Sequence, residues 1–394
     1  MSSRRLLAAL CVMVFAATFS IGAFPALLPE IGQHAGLADW QLGTLAGAYG
    51  LARMAVALPI GLFITHHLPR AMVLGPLVLI VGLAVLTTGG SFAALVAGRA
   101  IMGVGHTLGM LSGLTAILRF RAGHTVASSL NAFECSAMVG ILGGVGLLTL
   151  LPRSLSWNAA FVVTCTPIVL GIGALPFALA ALPRARRAAA APAPAEAEPP
   201  RVETFDPPAA PRTVAVLAFV AGGTAALAYS TIEQFLIPVR AAREFGLDRV
   251  GVGRILMVAQ VCDILALLPV GALADRRGAR RVLGVVLLTF AGSVALIGFG
   301  SLPMMVGGCA LFGLSMAGWM LPLGLLRTVT PPAQVAWRTA VYRVGVDGGM
   351  FLGPFLSGLL VARYPAVLPA VLTVALVVVG VLLLWRERVV APGG

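Results

Sequence analysis

The chain contains no lysine, so every fixed basic charge among its 27 Lys and Arg positions is a guanidinium. Charge of either sign is scarce, at 10% of 394 residues, while 59% are hydrophobic and the mean hydropathy is +1.00. A soluble chain of this length could not hide so much apolar surface, which leaves the bilayer as its solvent. Cysteine is also scarce. Cys11, Cys135, Cys165, Cys262 and Cys309 all lie inside apolar runs, their number is odd, and no C-x-x-C or metal-spaced His pairing occurs. Neither disulfide, metal nor cofactor is expected. No ATP-binding motif is present. The glycines at 98, 103, 105, 109 and 113 follow no strand and no phosphate-binding lysine, so they suit close helix packing better than a nucleotide loop. The net charge of +13 does not point to nucleic acid, because the arginines fall between apolar runs, as loops at a lipid surface do.

What is present is a succession of apolar runs, each long enough to cross about 30 Å of hydrocarbon. They do not alternate polar and apolar as barrel strands must, so they are helices. Twelve spans are expected, near 5–29, 40–64, 71–89, 93–118, 126–151, 157–182, 213–239, 249–274, 282–300, 303–327, 336–361 and 366–386. The first is too long for a cleaved signal peptide and is read as a membrane helix. Between the sixth and seventh lies a Pro-, Ala- and charge-rich stretch read as a flexible linker. The expected domains are therefore 1–182, a six-helix half; 183–212, the linker; and 213–394, a second six-helix half. Alternate loops carry Arg4, Arg5, Arg70, Arg119, Arg121, the linker arginines and Arg276 to Arg281. The positive-inside rule then puts both termini and the linker in the cytoplasm, with the chain in a bacterial inner membrane.

An internal repeat joins the halves. "RMAVALPIGLFIT" (53–65) aligns with "DILALLPVGALAD" (263–275) at an offset of 210, matching Pro59 with Pro269 and Gly61 with Gly271. The same offset pairs Gly98 with Gly308, Gly103 with Gly313 and Gly143 with Gly353. One offset serving three pairs of spans predicts two parallel, pseudo-symmetric halves.

"GALADRRGARR" (271–281) concentrates charge between two apolar spans. It resembles the signature of the major facilitator superfamily between the second and third helices of a half, with every position filled: Gly271, Asp275, Arg276, Gly278, Arg280 and Arg281. The first-half counterpart, "GLFITHHLPRA", is degenerate, with Thr65 where the aspartate stands. Arg99 in "GRAIMGVG" resembles the family's fourth-helix arginine motif. "GGMFLGPFLSG" resembles its fifth-helix motif but lies in the eleventh span. "FPALLPEIG" and the second span resemble bacterial drug and sugar efflux permeases. The resemblance implies a transporter, not an enzyme, with Asp275 as a cytoplasmic latch that holds a neighbouring helix end when the far side is open. A carboxylate at a helix N-terminus gains about 0.3–1 kcal/mol, weak enough to reverse.

Ionisable groups at membrane depth are costly and mark function. The candidates to line a substrate cavity are Arg53, Arg99, His106, Asn131, Glu134, Tyr229, Glu233, Gln234, Trp319 and Arg343. Arg53 and Asp347 both lie about 12 or 13 residues into spans that neighbour each other across the halves in this superfamily, so an inter-domain ion pair is expected, with Arg343 left to the cavity. A proton carrier has to be a desolvated carboxyl without a permanent guanidinium neighbour. Asp263, with apolar flanks and Arg254 nine residues (about 13 Å) away, ranks first, and Glu233 second.

The expectation is a proton-coupled secondary transporter, exporting a small organic solute by alternating access. Its partners are that solute, protons and lipid, and it acts as a monomer. The arginines suit an organic anion; if they are all paired, a neutral or amphipathic solute fits better. An uptake symporter and a non-transporting receptor or scaffold on the same fold are the alternatives.

Overall fold

A computed structural model describes residues 2–120, 125–190, 212–331 and 334–390. Among them there is no strand. The helices are α1 (Ser2–His34), α2 (Asp39–Thr88), α3 (Phe92–Phe120), α4 (Thr125–Leu150), α5 (Trp157–Cys165) and α6 (Ile168–Ala190). They continue as α7 (Arg212–Thr231), a π turn (Ile232–Leu236), α8 (Ile237–Arg243), α9 (Arg249–Arg277), α10 (Ala279–Phe299), α11 (Leu302–Met316), α12 (Leu321–Thr328), α13 (Val335–Leu360) and α14 (Val367–Val390). The chain crosses back and forth between the face where α1 starts and α14 ends, called here the terminal face, and a far face.

Ten candidate spans are long and apolar enough to cross a membrane, against the twelve expected. Two elements account for the difference. α2 has 50 residues, about 75 Å, more than twice the hydrocarbon thickness, and it breaks at His67 (φ −127°, ψ 38°) into two arms. α13 carries Arg338, Arg343 and Asp347, too much charge for a plain apolar span.

The sequence suggested a loop at residues 65–70, and the structure breaks the helix there, at His67, for a local reason. Pro69 has no N–H to give the carbonyl of Thr65 four residues back, so the ladder opens there. Arg119, in the last turn of α3, donates to that carbonyl from Nη1 and Nη2, each at 3.2 Å. The degenerate half of the repeat has thus exchanged an acidic loop for a proline break capped by a guanidinium. In the second half the turn forms as expected: α9 ends at Gly278, whose φ of +88° suits a residue without a Cβ, and α10 begins at once.

Three spans expected to be unbroken are interrupted. The sixth breaks between α5 and α6 at Thr166–Pro167, the seventh carries the π turn, and the tenth opens over Ala317–Met320. The π turn precedes Pro238, which cannot donate to the carbonyl of Gln234. α6 runs on to Ala190, eight residues into the stretch expected to be linker. The rest of that stretch, up to residue 211, lies outside the described residues.

The repeat is visible in the packing. A Cβ on Gly103 would stand 2.6 Å from the carbonyl oxygen of Tyr49, and one on Gly313 would overlap the carbonyl of Ala259. Their other neighbours are Ala52 and Cys262. Both partner pairs are 210 residues apart, so the same close crossing is built twice, each time around a glycine at the matched position.

The core is shared unevenly between the halves. One large cluster includes Leu27, Leu42, Leu45 and Leu148 of the first half with Ile232, Phe235, Val252 and Leu256 of the second. Toward the terminal face a separate cluster, with Leu6, Leu10, Ile60, Ile64 and Ile117, contains first-half residues alone. The halves therefore pack together on the far side and part on the terminal side.

Candidate functional site

Helix approach on the far side depends on glycine. A Cβ at Gly47 of α2 would stand 2.7 Å from the carbonyl of Phe351, and one at Gly50 would stand 2.8 Å from the carbonyl carbon of Met350, while Gly43 meets Pro354 and Gly358. This α2–α13 seam runs antiparallel, and α4 meets α9 in the same sense through Thr149 and Val145 against Gly253. Ion pairs seal the far face across the halves. Arg249 Nη1 lies 3.3 Å from both carboxylate oxygens of Glu30, and its Nη2 donates to the Pro152 carbonyl at 2.6 Å. Arg243 pairs with Asp39, and Arg153 with Asp248, each at 2.6 Å. Of these, the Arg249 contact is the one that is buried on the arginine side.

On the terminal side the same helix faces are bare. Continuing the α2 stripe of residues 43, 47, 50 and 54 by helical steps reaches Leu58 and Leu62; continuing α13 reaches Val344, Val341 and Trp337. All five are exposed. On α9 the stripe reaches Leu268 and Asp275, and on α4 it reaches Val139 and Cys135, again exposed.

Where the seams part, the halves enclose a cavity of about 210 Å³. α2 contributes Tyr49 and Arg53, α3 contributes Arg99 and His106, and α4 contributes Glu134. The π turn brings Glu233 and Gln234 to the wall, with Tyr229 one turn before them. Asp263 comes from α9, Trp319 from the break between α11 and α12, and Arg343 from α13. Nine of the ten residues expected to line a cavity therefore do, and so does the first-choice proton carrier. Asn131 does not. It is exposed and lies nearer the terminal face than Glu134, where α4 has already drawn away from α9.

The structure brings Arg53 and Asp347 together, Nη2 to Oδ1 at 3.0 Å, with both side chains largely buried. Arg343 lies farther from the same carboxylate, 3.9 Å from Oδ2, and remains partly exposed. One aspartate thus stands between two guanidiniums and ties α2 to α13 at mid-membrane. Arg99 is 1% exposed and, among the described residues, has no carboxylate partner. Its guanidinium carbon lies 3.7 Å from the ring centroid of Phe24 and 4.6 Å from that of Tyr49. Stacking on aromatic faces offsets part of the cost of burying the charge.

Among the described residues, the acids on the opposite wall have no arginine within ion-pair distance. Glu233 accepts from the Tyr229 hydroxyl at 3.1 Å and from Gln260 Nε2 at 3.2 Å, both neutral donors. Asp263 is buried, and its Oδ1 has no hydrogen-bond partner. Among the described residues no group of acids, His or Cys has metal-site geometry.

The latch residues sit where the loop was expected. Asp275, Arg276 and Arg277 are exposed, and Asp275 has no ion pair among the described residues. Arg280 donates from Nε to the Leu383 carbonyl at 3.0 Å, tying α10 to α14. Reading the sequence for ionisable groups missed Tyr49 and Gln260. The available signal was their spacing: Tyr49 stands four residues before Arg53, and Gln260 three before Asp263, each on the same helix face as a charge.

A helical bundle of two repeated halves, packed together on one side and parted on the other around a polar cavity, is the build of a membrane transporter, and the chain is that rather than an enzyme. It belongs to the Major Facilitator Superfamily, whose sequence profile matches residues 10–239 and again 214–393. No curated protein matches it. Among solved structures it is similar to a mutant of the nucleoside transporter NupG, at 13% identity and a TM-score of 0.74, covering 96% of this chain and 99% of that one. It is also similar to a bacterial homologue of the human drug peptide transporters PepT1 and PepT2 (17%, TM-score 0.69, 99% of each chain). A POT family transporter in complex with a thioalcohol-conjugated peptide gives 14% and 0.72, over 98% of this chain and 96% of that one. At these identities the likeness is one of fold.

Proposed function

We propose that the chain is a proton-coupled secondary transporter that moves a small organic solute out of a bacterial cell by alternating access, in a state open to the cytoplasm. The arginine distribution supports placing the terminal face in the cytoplasm of the inner membrane. The bare stripes on α2, α13, α4 and α9 support a second state in which those seams close and the far-face ion pairs break. Asp275 then has a role as the latch, since its stripe faces the N-terminal turn of α4, and Gly271, Arg276, Gly278, Arg280 and Arg281 shape the turn that presents it. The two halves are residues 1–182 and 213–394, joined by a linker, and a single copy suffices.

Coupling rests on one observation: Glu233 and Asp263 are carboxyls buried in the cavity wall with no guanidinium paired to either. A carboxyl without a fixed countercharge in a desolvated site can take up and release a proton as water reaches it from one side or the other. Arg53 and Asp347, being paired, act instead as a structural tie. Direction follows from the resemblance of the first two spans to efflux permeases.

The test is transport in proteoliposomes under an imposed pH gradient, with a lumenal pH dye and a panel of amino acids, nucleosides, dipeptides, organic anions and cationic dyes. At least one solute should move protons with it. Asp263→Asn should abolish gradient-driven accumulation while passive exchange at saturating solute persists. Undiminished accumulation with unchanged pH dependence in both Asp263→Asn and Glu233→Gln would sink the coupling.

A further inference from the structure

The central cavity holds unfilled hydrogen-bonding groups of two opposite kinds, one kind on each half. On the first half, among the described residues, the Arg99 Nε and Nη1 donors have no partner, and the Tyr49 hydroxyl, with Arg53 beside it, donates its proton to none. On the second half, the unpartnered atoms of cavity-lining residues are acceptors, Gln234 Oε1 and Asp263 Oδ1. All four side chains are more than nine-tenths buried, and all four line this one cavity. Buried polar atoms are rarely left unpaired, and each one left so costs about 1–3 kcal/mol. Five such atoms, on four side chains at one cavity, mark the outline of a ligand.

The stacking of Arg99 narrows what that ligand is. Phe24 and Tyr49 cover the guanidinium at 3.7 Å and 4.6 Å, so hydrogen-bond donors remain in its plane and not over its faces. A planar anion such as a carboxylate meets a guanidinium edge in that way. The one arginine that the second half brings to this cavity, Arg343, is paired with Asp347, so that half leaves no unpaired cation for an anion. It offers a carboxylate and an amide oxygen, which call for a donor, best a positively charged one. It also supplies an aromatic ledge in the same cavity: the Tyr229 ring is stacked on Phe312 at 6.0 Å and tilted against Trp319 at 5.5 Å.

We infer that the substrate is a small zwitterion with a flat apolar body, its anionic group held by Arg99 and Tyr49 of the first half and its cationic group by Asp263 and Gln234 of the second. Such a solute spans the two halves, which separate groups could not do. It also makes Arg99 and Tyr49 specificity residues independent of coupling. The inference rests on the transporter reading of the same cavity and narrows it from a small organic solute to an amphoteric one.

The test is equilibrium binding to the purified full-length protein in detergent, at fixed pH and with no gradient. The probes are L-phenylalanine and L-tryptophan, their amine-free analogues 3-phenylpropionate and indole-3-propionate, and their carboxylate-free analogues phenethylamine and tryptamine. The zwitterions should bind about tenfold more tightly, or better, than either partial analogue, because a site built for a charged group rejects the ligand that lacks it. Tyr49→Phe, which keeps the ring on Arg99 and removes the hydroxyl alone, should weaken zwitterions and acids and leave amines unchanged. Arg99→Gln should do the same more strongly, and Asp263→Asn should weaken zwitterions and amines but not acids. Absence of zwitterion binding, partial analogues that bind as tightly, or variants that weaken every probe alike would each overturn the inference. Zwitterion binding and transport without proton movement would sink the coupling alone; proton-coupled transport of solutes lacking one of the two groups would sink the zwitterion alone.

Discussion

Asp347→Asn is the sharpest single perturbation. The carboxylate is 3.0 Å from Arg53 and 3.9 Å from Arg343, and its own side chain is nearly inaccessible. Neutralising it leaves two guanidiniums facing an amide at mid-membrane. Arg343 is partly exposed and can turn toward cavity water, but Arg53 is largely enclosed. Breaking one side of a buried pair costs about 3–5 kcal/mol, chiefly through the stranded charge. Against a total stability on the order of 5–15 kcal/mol, that loss should be plain in denaturant unfolding in detergent. Asp347→Asn should fall near the lower end of the range, because Arg343 relaxes. Arg53→Met combined with Asp347→Leu should recover most of it, since a buried pair replaced by apolar groups of similar volume is often neutral. The coupling in the double-mutant cycle should therefore be large and favourable. A cost below about 0.5 kcal/mol for Asp347→Asn, the level of an ordinary surface substitution, would show that the pair carries little.

Four other outcomes follow from the geometry. Arg119→Gln should cost about 1 kcal/mol in unfolding measurements, because it leaves the Thr65 carbonyl without its donors, and Pro69→Ala should make the same change nearly neutral by restoring the backbone N–H. Gly313→Ala should destabilise by about 1–3 kcal/mol, since its Cβ would overlap the Ala259 carbonyl, whereas Gly292→Ala, with nothing within 4 Å, should not. Asp275→Asn should slow transport while leaving the unfolding midpoint near that of the parent; normal rates would remove its role as a latch. The α4–α9 register extended toward the terminal face places Leu268 opposite Cys135, so Leu268→Cys should cross-link to Cys135 under a bifunctional thiol reagent and arrest transport; free turnover of the cross-linked protein would contradict closure along that seam.

The composition, the apolar runs and the 210-residue repeat were enough for a helical membrane protein of two like halves, because lipid leaves the backbone few other ways to satisfy itself. Depth along a span was legible too. Counting residues from the span ends placed Arg53, Asp263 and Asp347 near mid-membrane, and a shared span depth is what let Arg53 and Asp347 meet. The turn after α9 followed from Gly278, and the close crossings of Gly103 and Gly313 followed from their matched positions.

Rotation about each helix and continuity along it were harder to read. Asn131 and Glu134 are one turn apart on α4, yet only Glu134 reaches the cavity, because the two halves diverge between them. Trp319 faces the cavity through a helix break, and Glu233 and Gln234 through a π turn, neither of which has a periodic signature. The break expected near Thr65 takes the form of a tight kink at His67, where a guanidinium 54 residues away takes the Thr65 carbonyl that Pro69 leaves free. The surroundings of Arg99 were equally hidden: span depth pointed to the Arg53–Asp347 pair, but nothing along the chain showed that Arg99 lies between two rings. The sequence by itself determined the solvent, the repeat and the depth of each charge, since those depend on residues close along the chain. Apart from the Arg53–Asp347 pair, which groups face one another and which are left unfilled came from the fold, since partners from spans far apart in sequence become neighbours only when the two halves pack.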